Sequence, residues 1–182
     1  MATEQLPTAA EEGPLRPVPA LEGGRIRGIL LHKLIEELIT GELEESQSAA
    51  ASRAALLRDQ LLSTSQPDVS LDTAEIATTA LKTFQLPEIK PFRRSLVAEV
   101  PIHAVASGSY DHLVSGRADA VAQDEDGGVV VFDWKSDIAP KEADRATYRQ
   151  QLGHYLEAIG SRRGAIVYMT SGRVDWVRLS PR

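Results

Sequence analysis

The chain has no cysteine. That excludes disulfides, thiolate zinc sites and cysteine-ligated iron–sulfur clusters, and it fits a reducing compartment. Any metal must be held by oxygen and imidazole. Aromatic residues make up only 5% of the 182 positions. No run approaches the roughly 18 apolar residues of a membrane span, and the N-terminus lacks a basic-then-apolar signal pattern. No Gly-rich phosphate loop of the Walker type occurs, so the chain itself is not expected to hydrolyse ATP. The net charge of −6 argues against a wholly basic surface. The acidity is nevertheless uneven. From Lys141 onward, Lys141, Arg145, Arg149, Arg162, Arg163, Arg173, Arg178 and Arg182 outnumber Glu142, Asp144, Glu157 and Asp175. This net basic C-terminal part is compatible with a phosphate-bearing substrate.

Hydrophobic residues account for 42% and charged residues for 25%, ordinary values for a globular domain. Residues 1–24 are rich in Pro, Glu, Ala, Thr and Gly without period, and read as a disordered lead-in or a linker. Residues 25–182 form one domain, with a helical part over 25–92 and a core over 93–182. Ile26, Leu30, Leu34 and Leu38 recur at helical spacing over Arg25–Thr40, with His32 within the helix and Gly41 as its stop. Further helices are predicted over Ser48–Ser63 and Asp72–Phe84. They read as a scaffold or lid without chemistry of their own. The acids Glu36, Glu37 and Glu42–Glu45 read as a solvated face.

The pattern then turns to strands over Ser95–His103 and His112–Gln123, with an acidic turn, Asp124–Gly128, leading into Val129–Lys135. A helix over about Asp144–Ile159 follows. Two strands, Gly164–Thr170 and Val174–Leu179, flank a Ser171–Gly172 turn. The order predicts an α/β (α+β) layer architecture, a mixed sheet with helices on its faces.

The stretch Val129–Asp137 organises the rest. It begins as a buried strand and then carries Asp133 and Lys135, which alternation puts on one face while Phe132 and Trp134 take the other. If the acidic turn makes a hairpin, Asp119 comes roughly opposite Asp133. Opposed carboxylates repel unless a cation lies between them, and hard oxygen donors with an imidazole suit Mg²⁺ or Mn²⁺. Gln151 and Tyr155 share a helix face, with Tyr148 and Arg149 just upstream; amide, phenol and guanidinium suit a phosphate backbone and stacked bases. Each residue also has a plainer reading: a strand-end ion pair for Asp133 with Lys135, a core histidine for His32, a gatekeeper charge for Asp119, a solvated helix face for Gln151 and Tyr155. His103, His112 and His154 read as structural or surface residues.

Taken together, Gly28-x-x-x-His32, Gly116-x-x-Asp119, Asp133-x-Lys135 and Gln151-x-x-x-Tyr155 resemble the RecB-type branch of the PD-(D/E)xK nucleases, and most of all the C-terminal nuclease domain of AddA-type helicase–nucleases. The resemblance runs from about Arg25 to Leu179. It implies a restriction-endonuclease-like fold with an extra N-terminal helical region. It further implies a Mg²⁺-dependent (or Mn²⁺-dependent) deoxyribonuclease, an exonuclease that processes double-strand ends for recombinational repair. His32, Asp119, Asp133 and the Trp134 carbonyl would be metal ligands, and Asp119, Asp133, Lys135 and Glu99 the catalytic set. Gln151, Tyr155, Tyr148 and Arg149 would bind DNA. An upstream helicase, an AddB-like partner subunit and a bacterial, cytoplasmic, nucleoid-associated setting follow from the same resemblance. Ala118 stands where the family name has proline, and Trp134 where tyrosine is common; neither removes a ligand. A catalytically silent nucleic-acid-binding or scaffolding module on the same fold is the alternative.

Overall fold

A computed structural model describes residues 19–62, 70–106 and 112–180. Ten-residue β1 (Val97–Ala106), β2 (His112–Gln123), β3 (Val129–Lys135), β4 (Arg163–Tyr168) and β5 (Arg173–Arg178) form one sheet in the order of the chain. β1, β2 and β3 pair antiparallel, β3 and β4 parallel, and β4 and β5 antiparallel. The sheet is therefore mixed. Its one parallel step needs a crossover, and α4 (Glu142–Ile159) supplies it. The helices α1 (Pro19–Thr40), α2 (Gln47–Leu62) and α3 (Thr73–Phe84) precede the sheet. The expected fold class holds.

Two apolar clusters sit on the two sides of the sheet. Leu30, Leu34, Ile76 and Ala80 of α1 and α3 pack with Ala120, Val130, Phe132, Trp134, Ala165 and Val167. Leu152 and Leu156 of α4 pack with Val131, Ile166, Tyr168, Ala118 and Ile102. β3 is thus buried on both faces, which explains its unbroken apolar run. Gly164 lets α4 approach: a Cβ there would lie 3.0 Å from the Val131 carbonyl and 3.1 Å from Leu152.

Local signals place the helix ends. The Asp72 carboxylate accepts from the backbone N–H of Ala74 and Glu75, and Gly160 at φ 68 closes α4 in the left-handed conformation. α1 begins at Pro19 rather than Arg25, with proline at the first helical position. The expectation of disorder over 1–24 otherwise falls on 1–18, outside the described residues. A short 3-10 turn at Lys90–Phe92, which no sequence signal indicated, puts Phe92 against the Phe132 ring.

The solvated-face reading of the acids requires correction. Glu37 is 4% exposed and takes a bidentate pair from Arg53 of α2. Glu45 accepts from Gln85 and Arg93, tying the α1–α2 connection to the far end of α3.

Candidate active site

β1, β2 and β3 carry three carboxylates in one row. The pairs Ala98 with Ala120 and Val100 with Ala118 bracket Glu99 and Asp119, and Ala120 with Phe132 is followed one step along by Asp119 and Asp133. The paired register skips Glu99 with Asp119 and ends one step before Asp119 with Asp133. Within β1, Glu99 takes φ 55, the left-handed region that a side chain with a Cβ adopts at a cost of about 1–3 kcal/mol. Alternation is interrupted at this row, since Ala120 faces the α1–α3 cluster and Ala118 the α4 cluster. The local strain therefore coincides with the carboxylate row.

Asp133 is the most constrained of the three. It is 8% exposed, and burial pushes its carboxyl up to about 6, opposed by the charge of Lys135 and reinforced by that of Asp119. The Lys135 ammonium directs a hydrogen bond to Oδ1 at 3.1 Å. It also stands 2.9 Å from Oδ2 as an ion pair. Oδ2 nevertheless remains buried without a hydrogen-bond donor. Asp119 accepts from the Trp134 backbone N–H at 2.7 Å through Oδ2, while its Oδ1 lies 3.5 Å from His32 Nδ1. Burial works to lower the His32 pKa, but the hydrogen bond and charge of Asp119 and the charge of Asp133 outweigh it, and the net shift is upward.

Two glycines make these approaches available. A Cβ at Gly28 would stand 2.8 Å from Ser136 Oγ, so glycine lets α1 close on the chain just after β3, one turn before His32. A Cβ at Gly116 would stand 2.8 Å from the Tyr155 ring and 2.9 Å from its hydroxyl. Gly28 and Gly116 thus serve the positions of His32 and Tyr155. The resulting open cleft, about 460 Å³, is lined by Gly28, His32, Lys33, Glu36, Glu99 and Ser136.

Lys135 is held on both sides, by Asp133 and by the Tyr148 ring, whose centroid is 4.5 Å from Nζ. The Tyr148 hydroxyl donates to Asp137 Oδ2 at 2.9 Å, and burial first, then that bond, push its phenol up to about 12. Gln151 Nε2 donates to the Tyr155 hydroxyl at 3.5 Å. Tyr148, Gln151 and Tyr155 form one stripe of α4 at i, i+3 and i+7. Arg149 is the exception among the predicted residues. It lies about 100° around the helix and pairs with Glu142, so it belongs to a different surface. The structure brings His32, Asp119, Asp133, Lys135, Glu99 and the Tyr148 stripe to one end of the sheet, and leaves Arg149 outside.

Sequence reasoning missed Arg27, Ser136 and Asp137. Arg27 donates to Glu75 at 2.7 and 3.1 Å, to the Ser136 carbonyl at 3.1 Å and to Thr170 Oγ1 at 3.2 Å. It clamps α1, α3 and the end of β3 together, so α3 supports the site after all. The only signal was a charged residue between the apolar Ile26 and the glycine at 28.

Two carboxylates and an imidazole are a hard-donor set, and Asp119 and Asp133 on adjacent strands, the latter buried, repel unless a cation lies between them, so the residues fit a divalent ion. Among the described residues, no three His, Asp or Glu side chains are gathered tightly enough to enclose one by themselves. His32 is turned to Asp119, and Asp133 to Lys135. Backbone carbonyls and water would have to complete a shell. Among the described residues no helix is long and apolar enough to cross a membrane.

The sequence model of the PD-(D/E)XK nuclease superfamily matches residues 7–179. Members of that superfamily generally use divalent metal ions. No curated protein matches the chain significantly. Among solved structures, the one described as "Crystal structure of SSO0001" is similar over 85% of this chain and 78% of its own, at 19% identity and a TM-score of 0.43.

Proposed function

The chain belongs to the PD-(D/E)XK nuclease superfamily, and on that premise we propose that it is a Mg²⁺-dependent deoxyribonuclease cutting phosphodiester bonds at the Glu99–Asp119–Asp133 row. One observation carries the reading: a buried Asp133, paired with Lys135 and one rung from the second carboxylate of Asp119, which in turn lies against His32. An ion pair made only for stability has no use for a carboxyl group kept near pH 6 by burial.

His32, Asp119, Asp133 and the Trp134 carbonyl would hold the ion. When bound, it supplies a lowered water pKa and polarisation of the phosphate. The Trp134 N–H fixes the rotamer of Asp119. Glu99, held at Oε2 by Arg117 at 2.9 Å, would accept a proton from the attacking water. Lys135, kept in line by Asp133 and Tyr148, offsets the negative charge that grows on the phosphate. Gln151 and Tyr155 hold the strand being cut.

The finer reading is an exonuclease that forms the nuclease part of an AddA-type helicase–nuclease. Residues 1–24 would lead from the motor and an AddB-like subunit would be its partner, in the bacterial cytoplasm on nucleoid DNA. The order of the four motifs supports it, and the absence of cysteine separates it from cluster-bearing relatives.

The test is cleavage of labelled linear single- and double-stranded DNA with Mg²⁺, Mn²⁺ or EDTA, with Asp133→Ala and Lys135→Ala beside the unmodified chain. Metal-dependent cutting lost in both variants supports the assignment. Cutting that survives both sinks it. DNA binding with neither cutting nor metal binding turns the reading into a silent module.

A further inference from the structure

The charged row on the α4 side of the sheet continues beyond Lys135. Lys135 stands opposite Tyr168 in the parallel pairing, and Tyr168 opposite Arg173 on β5. Strands lie about 4.8 Å apart, so the row reaches about 10 Å sideways from the lysine. Tyr168 is 1% exposed, and its hydroxyl is buried with no hydrogen-bond partner. Arg145 lies over its ring and Arg173 is its partner on β5, and after burial the charges of Asp175, Arg145, Arg173 and Arg149 act on this phenol, with a net upward shift.

Donors and acceptors do not balance there. Arg173 takes Asp175, with Nε 2.6 Å from Oδ1, and Arg149 takes Glu142. Among the described residues no carboxylate is hydrogen-bonded to Arg145, which lies 5.6 Å from the Tyr168 ring centroid and has its Nε buried without an acceptor. Two neighbouring buried donors without acceptors call for a partner. Three guanidiniums against two carboxylates leave a surplus positive charge on this surface, which suits an anion. The Arg149–Glu142 pair is solvent-exposed and so is cheap to rearrange, while Arg173 keeps an exposed guanidinium on the part-buried Asp175. A tetrahedral oxyanion, taking planar guanidiniums bidentately, matches this supply of donors.

We propose that Arg145, Arg149 and Arg173, standing around the buried Tyr168, form a second phosphate site that holds a backbone phosphate of the nucleic-acid strand, flanking the one cut beside Lys135. This deepens the nuclease reading and rests on it for the identity of the ligand. It also gives Arg149 a role away from the Tyr155 stripe. A purely structural ion-pair cluster would leave nucleic-acid affinity untouched when Arg145 is neutralised.

The experiment uses the whole chain in EDTA, so that nothing is cut, with fluorescein-labelled single-stranded DNA followed by anisotropy over about 50–200 mM salt. Arg145→Gln and Arg173→Gln should each weaken binding about tenfold. Each should also flatten the log–log salt slope by about 0.7, the share of one single-strand phosphate contact. Arg145→Lys should keep the slope and recover part of the affinity. With Mg²⁺ present, the Gln variants should raise KM and leave kcat unchanged. Unaltered affinity and slope in both Gln variants overturn the proposal, as does an unmodified chain that binds no DNA. So does calorimetry in which Arg145→Gln loses inorganic phosphate but keeps its DNA affinity, because the site would then serve free phosphate. DNA binding with the expected slopes but no cutting would remove the nuclease reading and keep this site. Cutting with unchanged KM in both variants would do the reverse.

Discussion

Replacing Asp133 with asparagine should stabilise the metal-free protein at neutral pH while abolishing cleavage. Burial raises the Asp133 carboxyl from 3.8 to about 6, and the charge of Lys135 does not undo it. Between those two values the folded chain retains a proton that the unfolded chain releases. Stability therefore falls as pH rises from about 4 to about 6, and the loss persists above that window. A shift of about two units corresponds to about 3 kcal/mol. Because Asp133 shares its field with Lys135, Asp119 and His32, a gain of about 1–3 kcal/mol at pH 7 is the expected range for Asp133→Asn. For a chain of this size that is about 2–12 °C in Tm. Calorimetric melts in EDTA should show the gain at pH 7 and almost none at pH 4, where the native aspartic acid is already protonated. Mg²⁺ should then raise the Tm of the unmodified protein and not that of the variant. A variant less stable at pH 7, or one with the same offset at both pH values, would refute the reasoning: the Lys135 pair would outweigh burial.

Other outcomes follow from the same geometry. Cleavage should fall below about pH 6–7, because His32 and Asp133 both hold protons there that a metal must displace, and higher Mg²⁺ should move the acid limb of the rate profile downward. The stability that His32 draws from protonation should be present below its ordinary 6.5 and vanish as pH rises through its raised native value, visible as a His32→Ala destabilisation confined to acid melts. Gly116→Ala should displace the Tyr155 phenol, weakening DNA binding several-fold, with about 1–3 kcal/mol of stability lost in denaturant titrations. Arg53→Ala should cost about 2 kcal/mol, since it strands the buried Glu37 carboxylate, and Glu37→Gln in the same background should restore part of it.

Much of the site was legible because alternation holds along β3. Asp133 with Lys135 on one face and Phe132 with Trp134 on the other follows from period two alone, and the acidic turn at 124–128 set the register that brings Asp119 beside Asp133. What escaped was set by tertiary contact. Glu37 reads as one acid among several, and only the approach of Arg53 on another helix buries it. Arg149 was grouped with Tyr148 by nearness in sequence, whereas one residue of helix turns it to another surface. Arg27 reaches partners 48, 109 and 143 residues away, a span that no local pattern encodes. The break in alternation at Glu99 is likewise invisible, since nothing in Ala-Glu-Val announces a left-handed residue.

The sheet order repeats the chain order, strand by strand. Each strand therefore finds its neighbour among residues just synthesised or about to be, and only the α4 crossover interrupts the series. Closing short loops is entropically cheap, so the sheet can zip from one end without waiting for distant partners. The row Glu99–Asp119–Asp133 is complete once the first three strands have met. His32 comes from α1, far earlier in the chain, so its contact with Asp119 is of another kind: a long-range closure that ties the helices to a sheet otherwise built from neighbours.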